Sequence, residues 1–318
     1  MSKRAFVTGA GGFAGRRLCE YLVGQGWDVI PAVYPSVDDM PGAVECDVSD
    51  LESVDDALSG AGEITHVFHL AAVTFVPSSV RAPLHTVRVN LEGTMLLAAA
   101  VKRRNPSARF LFTSSAAVYG IPSTLPIDEF SSLNPVEPYA ISKAAADSYC
   151  RFLYKSEGLD AVVARPFNHS GPGQTSNFVL SDFARQIATI EAGKADPVVR
   201  VGDLSARRDF LHVDDVVRAY ALLAEKGEPG EAYNVCSGRS RSIQEALDWY
   251  VAQSRVAIRQ EVEAERLRKS DIPDSYGSHA KLTARTGWQP TVTFEELLGS
   301  LLEYWRNQQP SVPVHSGK

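Results

Sequence analysis

The 318-residue chain is 44% hydrophobic and 22% charged, the composition of a globular protein with a sizeable core. Its formal net charge of −6 counts against nucleic acid as the principal partner, and no apolar run approaches the about 18 residues that a membrane-spanning helix needs. The four cysteines, Cys19, Cys46, Cys150 and Cys236, have neither metal-ligand spacing nor the density of a disulfide framework, so we expect no metal and a reducing, cytoplasmic setting. The N-terminal MSKRAFVTG runs straight into a strand and offers no signal-peptide core.

In chain order, AFVT (5–8), DVIPAV (28–33), HVFHLAA (66–72), RFLFTSS (109–115) and DAVVARPFN (160–168) read as buried strands. Helical patterns fall between them near 13–25, 50–59, 87–104 and 139–156. Strands alternating with helices predict a parallel sheet, and strands apolar throughout predict helices on both faces. The fold expected is α/β, a Rossmann-type doubly wound sheet with a smaller C-terminal α/β substrate domain. Beyond Pro166 come a GPG turn, helices near 178–192, 214–226, 242–254 and 294–307, and strands at PVVRV and EAYNVCS. We divide the chain into a nucleotide-binding part over 1–165 and a substrate part over 166–318, with segments near 212–240 returning to the first part.

The first strand runs into TGAGGFAG, with Gly9, Gly12 and Gly15 three residues apart and a helix following. Such a loop turns sharply, brings backbone N–H groups up to a pyrophosphate and seats the helix on the strand. The spacing resembles that of the extended short-chain dehydrogenase/reductase family. So do Asp47 in CDVSD, HLAA at 69–72 and Asn90 in NLEGT. The resemblance implies that the coenzyme is held by Gly9, Gly12, Phe13, Gly15, Asp47, Val48, Leu70, Ala71, Ala72, Asn90, Tyr139, Lys143 and Pro166. Val33 and Tyr34 stand where NAD-preferring relatives carry an acid, and Arg16 and Arg17 lie early in the first helix. NADPH is therefore favoured over NADH, although two arginines there also describe a solvated helix face.

Tyr139 and Lys143 stand four apart, on one face of the helix predicted over 139–156. An ammonium beside a phenol lowers its pKa and suits it to exchange a proton with a carbonyl or hydroxyl. The spacing alone also describes an ordinary helix face. The family resemblance implies that Ser115 bonds the substrate oxygen, Tyr139 transfers the proton and Lys143 holds the nicotinamide ribose. Ser115 lies in TSSAAVYG (113–120). Relatives that dehydrate nucleotide hexoses carry acidic residues directly after this position, and here Ala116 and Ala117 stand instead. A methyl group cannot carry a proton, so elimination of water is disfavoured. Ketone reduction and 4-epimerisation both remain open.

In the substrate half the resemblance implies that Asn168 (in RPFN), Arg208 (in ARRDF) and Arg268 (in ERLRKSD) contact a sugar nucleotide. Asn177 and Arg185 are candidates on the helix near 178–192, Asn177 with a helix-capping role as the alternative. Arginines converging on a diphosphate make chemical sense because guanidinium pairs bidentately with phosphate oxygens. The spacing around Arg208 resembles the GDP-mannose branch. This implies reduction of the C4 ketone of GDP-4-keto-6-deoxy-D-mannose to GDP-D-rhamnose, hydride reaching C4 and the proton coming from Tyr139. A nucleotide-sugar 4-epimerase or a GDP-mannose 4,6-dehydratase-like enzyme is the alternative within the family, and a non-catalytic NAD(P)-sensing scaffold the alternative outside it. The helices over 87–104 and 139–156 carry apolar residues on more than one face, from which we expect a homodimer.

Overall fold

The computed structural model describes residues 3–37, 40–266 and 272–309. The chain begins β1 (Arg4–Thr8), α1 (Phe13–Gly24), β2 (Asp28–Val33), β3 (Val44–Glu45), α2 (Leu51–Ala61) and β4 (His66–His69). It continues through α3 (Val76–Arg81), α4 (Pro83–Val87), a π-helical turn (Arg88–Glu92), α5 (Gly93–Arg104), β5 (Arg109–Thr113), a 3-10 turn (Ala116–Tyr119), α6 (Pro138–Glu157) and β6 (Ala161–Pro166). Next come β7 (Asn168–Ser170), α7 (Val179–Glu191), β8 (Val198–Val201), β9 (Arg207–Arg208), β10 (Phe210–His212), α8 (Val213–Lys226) and β11 (Ala232–Val235). The last elements are β12 (Arg241–Ser242), α9 (Ile243–Ala252), β13 (Arg259–Val262), a 3-10 turn (Ala264–Arg266), β14 (Asp274–Ser275), α10 (Ala280–Thr286) and α11 (Phe294–Asn307).

Seven parallel strands form the main sheet in the order β3-β2-β1-β4-β5-β6-β11. The order reverses at β1, the place where doubly wound sheets open a crevice beyond their strand ends. One apolar layer lies under α1 and α8 and includes Leu282 and Trp288. The other lies under α2, α5 and α6. A third core packs α7, α9 and α11 with β8 and β10. Local signals stop and start the helices that matter here. Pro138 opens α6 at a position needing no N–H bond, and Gly158 closes it with φ 71°. Thr293 and Glu296 form a reciprocal capping box on α11.

Two expectations change. The strands predicted to run on through LAA and TSS stop at His69 and Thr113, where the parallel ladder ends in register, and the following residues leave the sheet. The helix predicted over 87–104 is α4 and α5 joined by the π-helical turn. Asn90 lies in that turn, and a Cβ on Gly93 just after it would come within 2.9 Å of Val48 Cγ2. The extra residue in the turn thus swings Asn90 inward, a common use of a π-bulge.

What seats α6 on the sheet is an ion pair. Arg165 Nε and Nη2 donate to the Asp147 carboxylate at 2.8 and 3.0 Å, with the two side chains 1% and 0% exposed. Arg165 Nη1 also donates to Tyr119 Oη at 2.9 Å, and Tyr119 Oη donates to Asn234 Oδ1 at 2.7 Å. Removing one partner would strand a buried charge. Asp147→Ala is expected to lower stability by about 3–5 kcal/mol in urea denaturation, far more than a surface pair would.

Candidate active site

The C-terminal strand ends are tied by hydroxyls and one histidine. Thr94 Oγ1 donates its proton to Asn90 O at 2.7 Å, so it accepts from His69 Nε2 at 2.9 Å. His69 Nδ1 is then the acceptor for Thr8 Oγ1 at 2.7 Å. Burial first, and the Lys143 charge second, push His69 down to about 3, which keeps this neutral tautomer. The network sets the gap between β1 and β4 in which the glycine loop sits. Gly9 has φ 69°, and a Cβ there would lie 2.7 Å from Ala71 N. A Cβ on Gly15 would lie 2.1 Å from Gly9 O, so the third glycine lets α1 close on the loop itself. Gly12 is the N-cap of α1, and no side chain caps that end. This bare helix start beside a cradle that a Cβ would fill fits a dinucleotide pyrophosphate.

The remaining coenzyme candidates surround that cradle unevenly. Asp47 Oδ1 accepts from Ser49 N and Oγ at 2.9 and 2.7 Å. Val48 is buried, while Ala71 and Ala72 stay partly open beside Leu70 at the end of β4. Phe13 stacks on His169 with ring centroids 6.3 Å apart and an interplanar angle of 12°. Pro166 ends β6. Asn90 is fully buried and commits both amide hydrogens, to Val73 O at 3.1 Å and to Ser142 Oγ at 3.0 Å. Its Oδ1 accepts from Val73 N at 2.8 Å, so the side chain locks the loop after β4 to α6. Arg17 bonds Asp214 Oδ2 at 3.0 Å and Glu20 Oε2 at 2.8 Å, tying α1 to α8. Of the two arginines, Arg16 stays by the loop, its Nε on Gly11 O at 3.0 Å.

Ser115, Tyr139 and Lys143 are brought together. Ser115 caps the 3-10 turn by accepting from Ala117 N at 3.2 Å, and its hydroxyl lies close enough to the Tyr139 phenol to favour the ionised form. Ser142 Oγ donates to Tyr139 O at 2.7 Å, which pins the first turn of α6. Lys143 is 2% exposed, donates to Thr113 O at 2.8 Å and sits 4.9 Å from the Phe112 ring centroid. Burial pushes Lys143 down to about 7. Burial raises Tyr139, the Ser115 hydroxyl works against that rise, and the Glu137 carboxylate adds to it. The lowering of the phenol expected from a neighbouring ammonium is not seen: burial dominates, and the opposing influence comes from Ser115. Ala116 packs against a cluster that includes Val118, Tyr119, Ala144 and Phe167.

On the substrate side, Asn168 is exposed at the start of β7, paired with Phe210 of β10. Asn177 is exposed too, but the N-cap of α7 is Phe178, so Asn177 does not cap the helix. Arg208 Nη1 donates to Arg207 O and Ile272 O at 2.7 and 2.8 Å. Arg268 lies outside the described residues. The guanidinium pair that does converge is Arg185 and Arg266, at 2.7 and 2.8 Å from the two oxygens of Asp182. Arg266 was not anticipated, although it stands two residues before Arg268 in ERLRKSD. Asp209 was also missed. It is 1% exposed and accepts from Ser237 N, Gly238 N and Gly277 N at 2.7, 3.0 and 3.3 Å. Burial raises its carboxyl to about 6 against those bonds.

The sequence profile of the family described as GDP-mannose 4,6 dehydratase matches residues 6–301. The chain is 38% identical to GDP-6-deoxy-D-mannose reductase of Pseudomonas aeruginosa over 97% of its own length and 99% of that protein's. It is 29% identical to UDP-glucose 4-epimerase of Mycolicibacterium smegmatis, over 96% and 99% of the two chains. The structure of RMD from Pseudomonas aeruginosa complexed with NADPH superposes with a TM-score of 0.84 at 38% identity, covering 97% and 100% of the two chains. Thermus thermophilus UDP-glucose 4-epimerase in complex with NAD superposes at 0.85 with 30% identity, covering 95% and 99%.

The buried lysine makes a prediction about stability. Its folded pKa of about 7 lies below the ordinary lysine value of 10.5, so below pH 7 both states are charged and the folded state bears the desolvation cost. Above pH 7 the folded state releases its proton first, and the cost shrinks as pH rises toward 10.5. Lys143→Met is therefore expected to melt higher than wild type at pH 6, with the gap narrowing by pH 9.

Proposed function

The chain belongs to the GDP-mannose 4,6-dehydratase family of extended short-chain dehydrogenase/reductases, and from that premise we propose an NAD(P)H-dependent reductase. The substrate is GDP-4-keto-6-deoxy-D-mannose and the product GDP-D-rhamnose. When bound, the coenzyme supplies a hydride to C4. The protein's task is to orient the ketone and deliver one proton to O4. Ser115 Oγ bonds O4, and Tyr139 Oη gives it the proton. The observation that carries this reading is the Ser115–Tyr139 hydroxyl pair beside two alanines. Tyr139 holds its proton at neutral pH and so has one to give. Elimination needs a further acid and base, and positions 116 and 117 offer methyl groups. Lys143, near 7, stands on the same face of α6 to restore and position that proton.

Gly9, Gly12, Phe13, Gly15 and the end of β4 hold the coenzyme in this reading, with Lys143 at the nicotinamide ribose. NADPH is preferred to NADH because no carboxylate stands at Val33 or Tyr34 and Arg16 lies by the loop. The NADPH complex of the 38% identical relative supports the same choice. Arg185, Arg266, Arg208 and Arg268, with Asn168 and Asn177, take the GDP-sugar.

Incubation with GDP-4-keto-6-deoxy-D-mannose and either NADPH or NADH, with NMR of the product, tests the reaction. GDP-D-rhamnose is expected, faster with NADPH, and Tyr139→Phe should cut kcat by about 100-fold or more. GDP-6-deoxy-D-talose would overturn the face of attack. The epimerase relatives give weight to a second reading, 4-epimerisation. Tightly retained NAD+ and turnover of UDP-glucose without added coenzyme would establish it instead.

We also propose a homodimer, on the apolar faces of the helices. Val80, Leu84, Val87 and Met95 are exposed along α3 to α5, and Ile141 and Phe152 along α6. Burying such a face is worth about 25 cal/mol per Å². Sedimentation velocity should show a dimer, and Leu84→Glu with Phe152→Glu should shift it to monomer.

A further inference from the structure

Two aromatic contacts join the coenzyme side of the cleft to the substrate side. One is the Phe13–His169 stack at the glycine loop. The other is at the rim, where Phe75 meets Phe178 edge to face, with centroids 6.3 Å apart and an interplanar angle of 72°. Phe75 follows Val73, which Asn90 fixes through two hydrogen bonds, and it is the N-cap of α3, which packs on α6. Phe178 follows Asn177 and is the N-cap of α7, the helix that carries Asp182 and Arg185. Neither phenyl residue supplies a side-chain cap, so neither is there to finish a helix end. Phe178 is 39% exposed, so this ring contact lies at the surface and not in a core.

We propose that the Phe75–Phe178 pair is a latch across the cleft, opened for each passage of the sugar nucleotide in and out. This rests on the reading of the site given above. The pair joins the side bearing Tyr139 to the side bearing Arg185. An edge-to-face phenyl pair is worth about two- to tenfold in an equilibrium constant. That is enough to keep the rim closed most of the time and little enough to open within a turnover. A contact present before and after binding leaves affinity unchanged and acts on the rates of both passages. This separates a latch from a ring that touches the sugar.

Stopped-flow binding of GDP-D-rhamnose to the NADPH-loaded protein tests it. Phe178→Ala and Phe75→Ala should each raise the association and dissociation rate constants together by about two- to tenfold, with Kd unchanged. The double variant should match either single one, since one lost ring already breaks the pair. Phe178→Leu, which keeps bulk but not the ring edge, should behave as Phe178→Ala and guards against loss of fold. A rise in dissociation alone would make Phe178 a binding contact and overturn the latch. Unchanged rates, or effects that multiply in the double variant, would overturn it as well. If wild type ignores GDP-D-rhamnose but binds UDP-glucose, the substrate assignment fails, and the same rate ratios measured on UDP-glucose still decide the latch.

Discussion

The buried pair between Arg165 and Asp147 is the constraint on which the geometry of the site depends. Tyr139, Lys143 and Asp147 follow at intervals of four along α6 and share one face. A bidentate bond from Asp147 to the end of β6 fixes the rotation of α6 about its axis, and with it the aim of the phenol and the amine. The third bond from Arg165 runs to Tyr119, which ends the 3-10 turn begun by Ser115. One guanidinium thus sets both sides of the hydroxyl pair. Tyr119 passes the constraint on to Asn234 in β11, so the outermost strand is held by the same network. Buried pairs of this kind add little net stability but penalise other packings heavily, which suits a part that must define one geometry.

Around that pair the protein withdraws ionisable groups from water without neutralising them by partners. Lys143 has a carbonyl and a ring face for company, and among the described residues no carboxylate bonds it. Tyr139 has a hydroxyl partner. His69 is held neutral between two threonines. Desolvation is therefore the largest influence on all three, and it moves each toward its uncharged form.

The substrate part is coupled to the sheet through backbone and carboxylate contacts. Asp209 gathers three N–H groups from the segments after β11 and around Gly277, so the Arg208 segment sits against the sheet. Asp182 gathers Arg185 and Arg266 from α7 and from the turn after β13. Each carboxylate gathers groups from separate segments, and Asp182 in this way brings together two arginines far apart in sequence.

What the sequence by itself determined is everything that depends on short spacing. Alternating apolar runs were enough for the doubly wound sheet, and DVIPAV and the helix over 294–307 were read to the residue. Glycines three apart dictated the cradle, and Tyr139 and Lys143 four apart dictated a shared helix face, because backbone geometry alone sets those relations. The tertiary structure decided what depends on partners distant in sequence. Arg17 is claimed by Asp214, 197 residues away, and Arg266 by an aspartate 84 residues away. The π-helical turn exists because Asn90 must reach Val73 and Ser142, and no local propensity announces that. The direction of the Tyr139 and Lys143 shifts was likewise not legible in their spacing. Spacing reveals which groups share a helix face, but only the packed structure decides how much water they lose, and that loss is the largest influence on both.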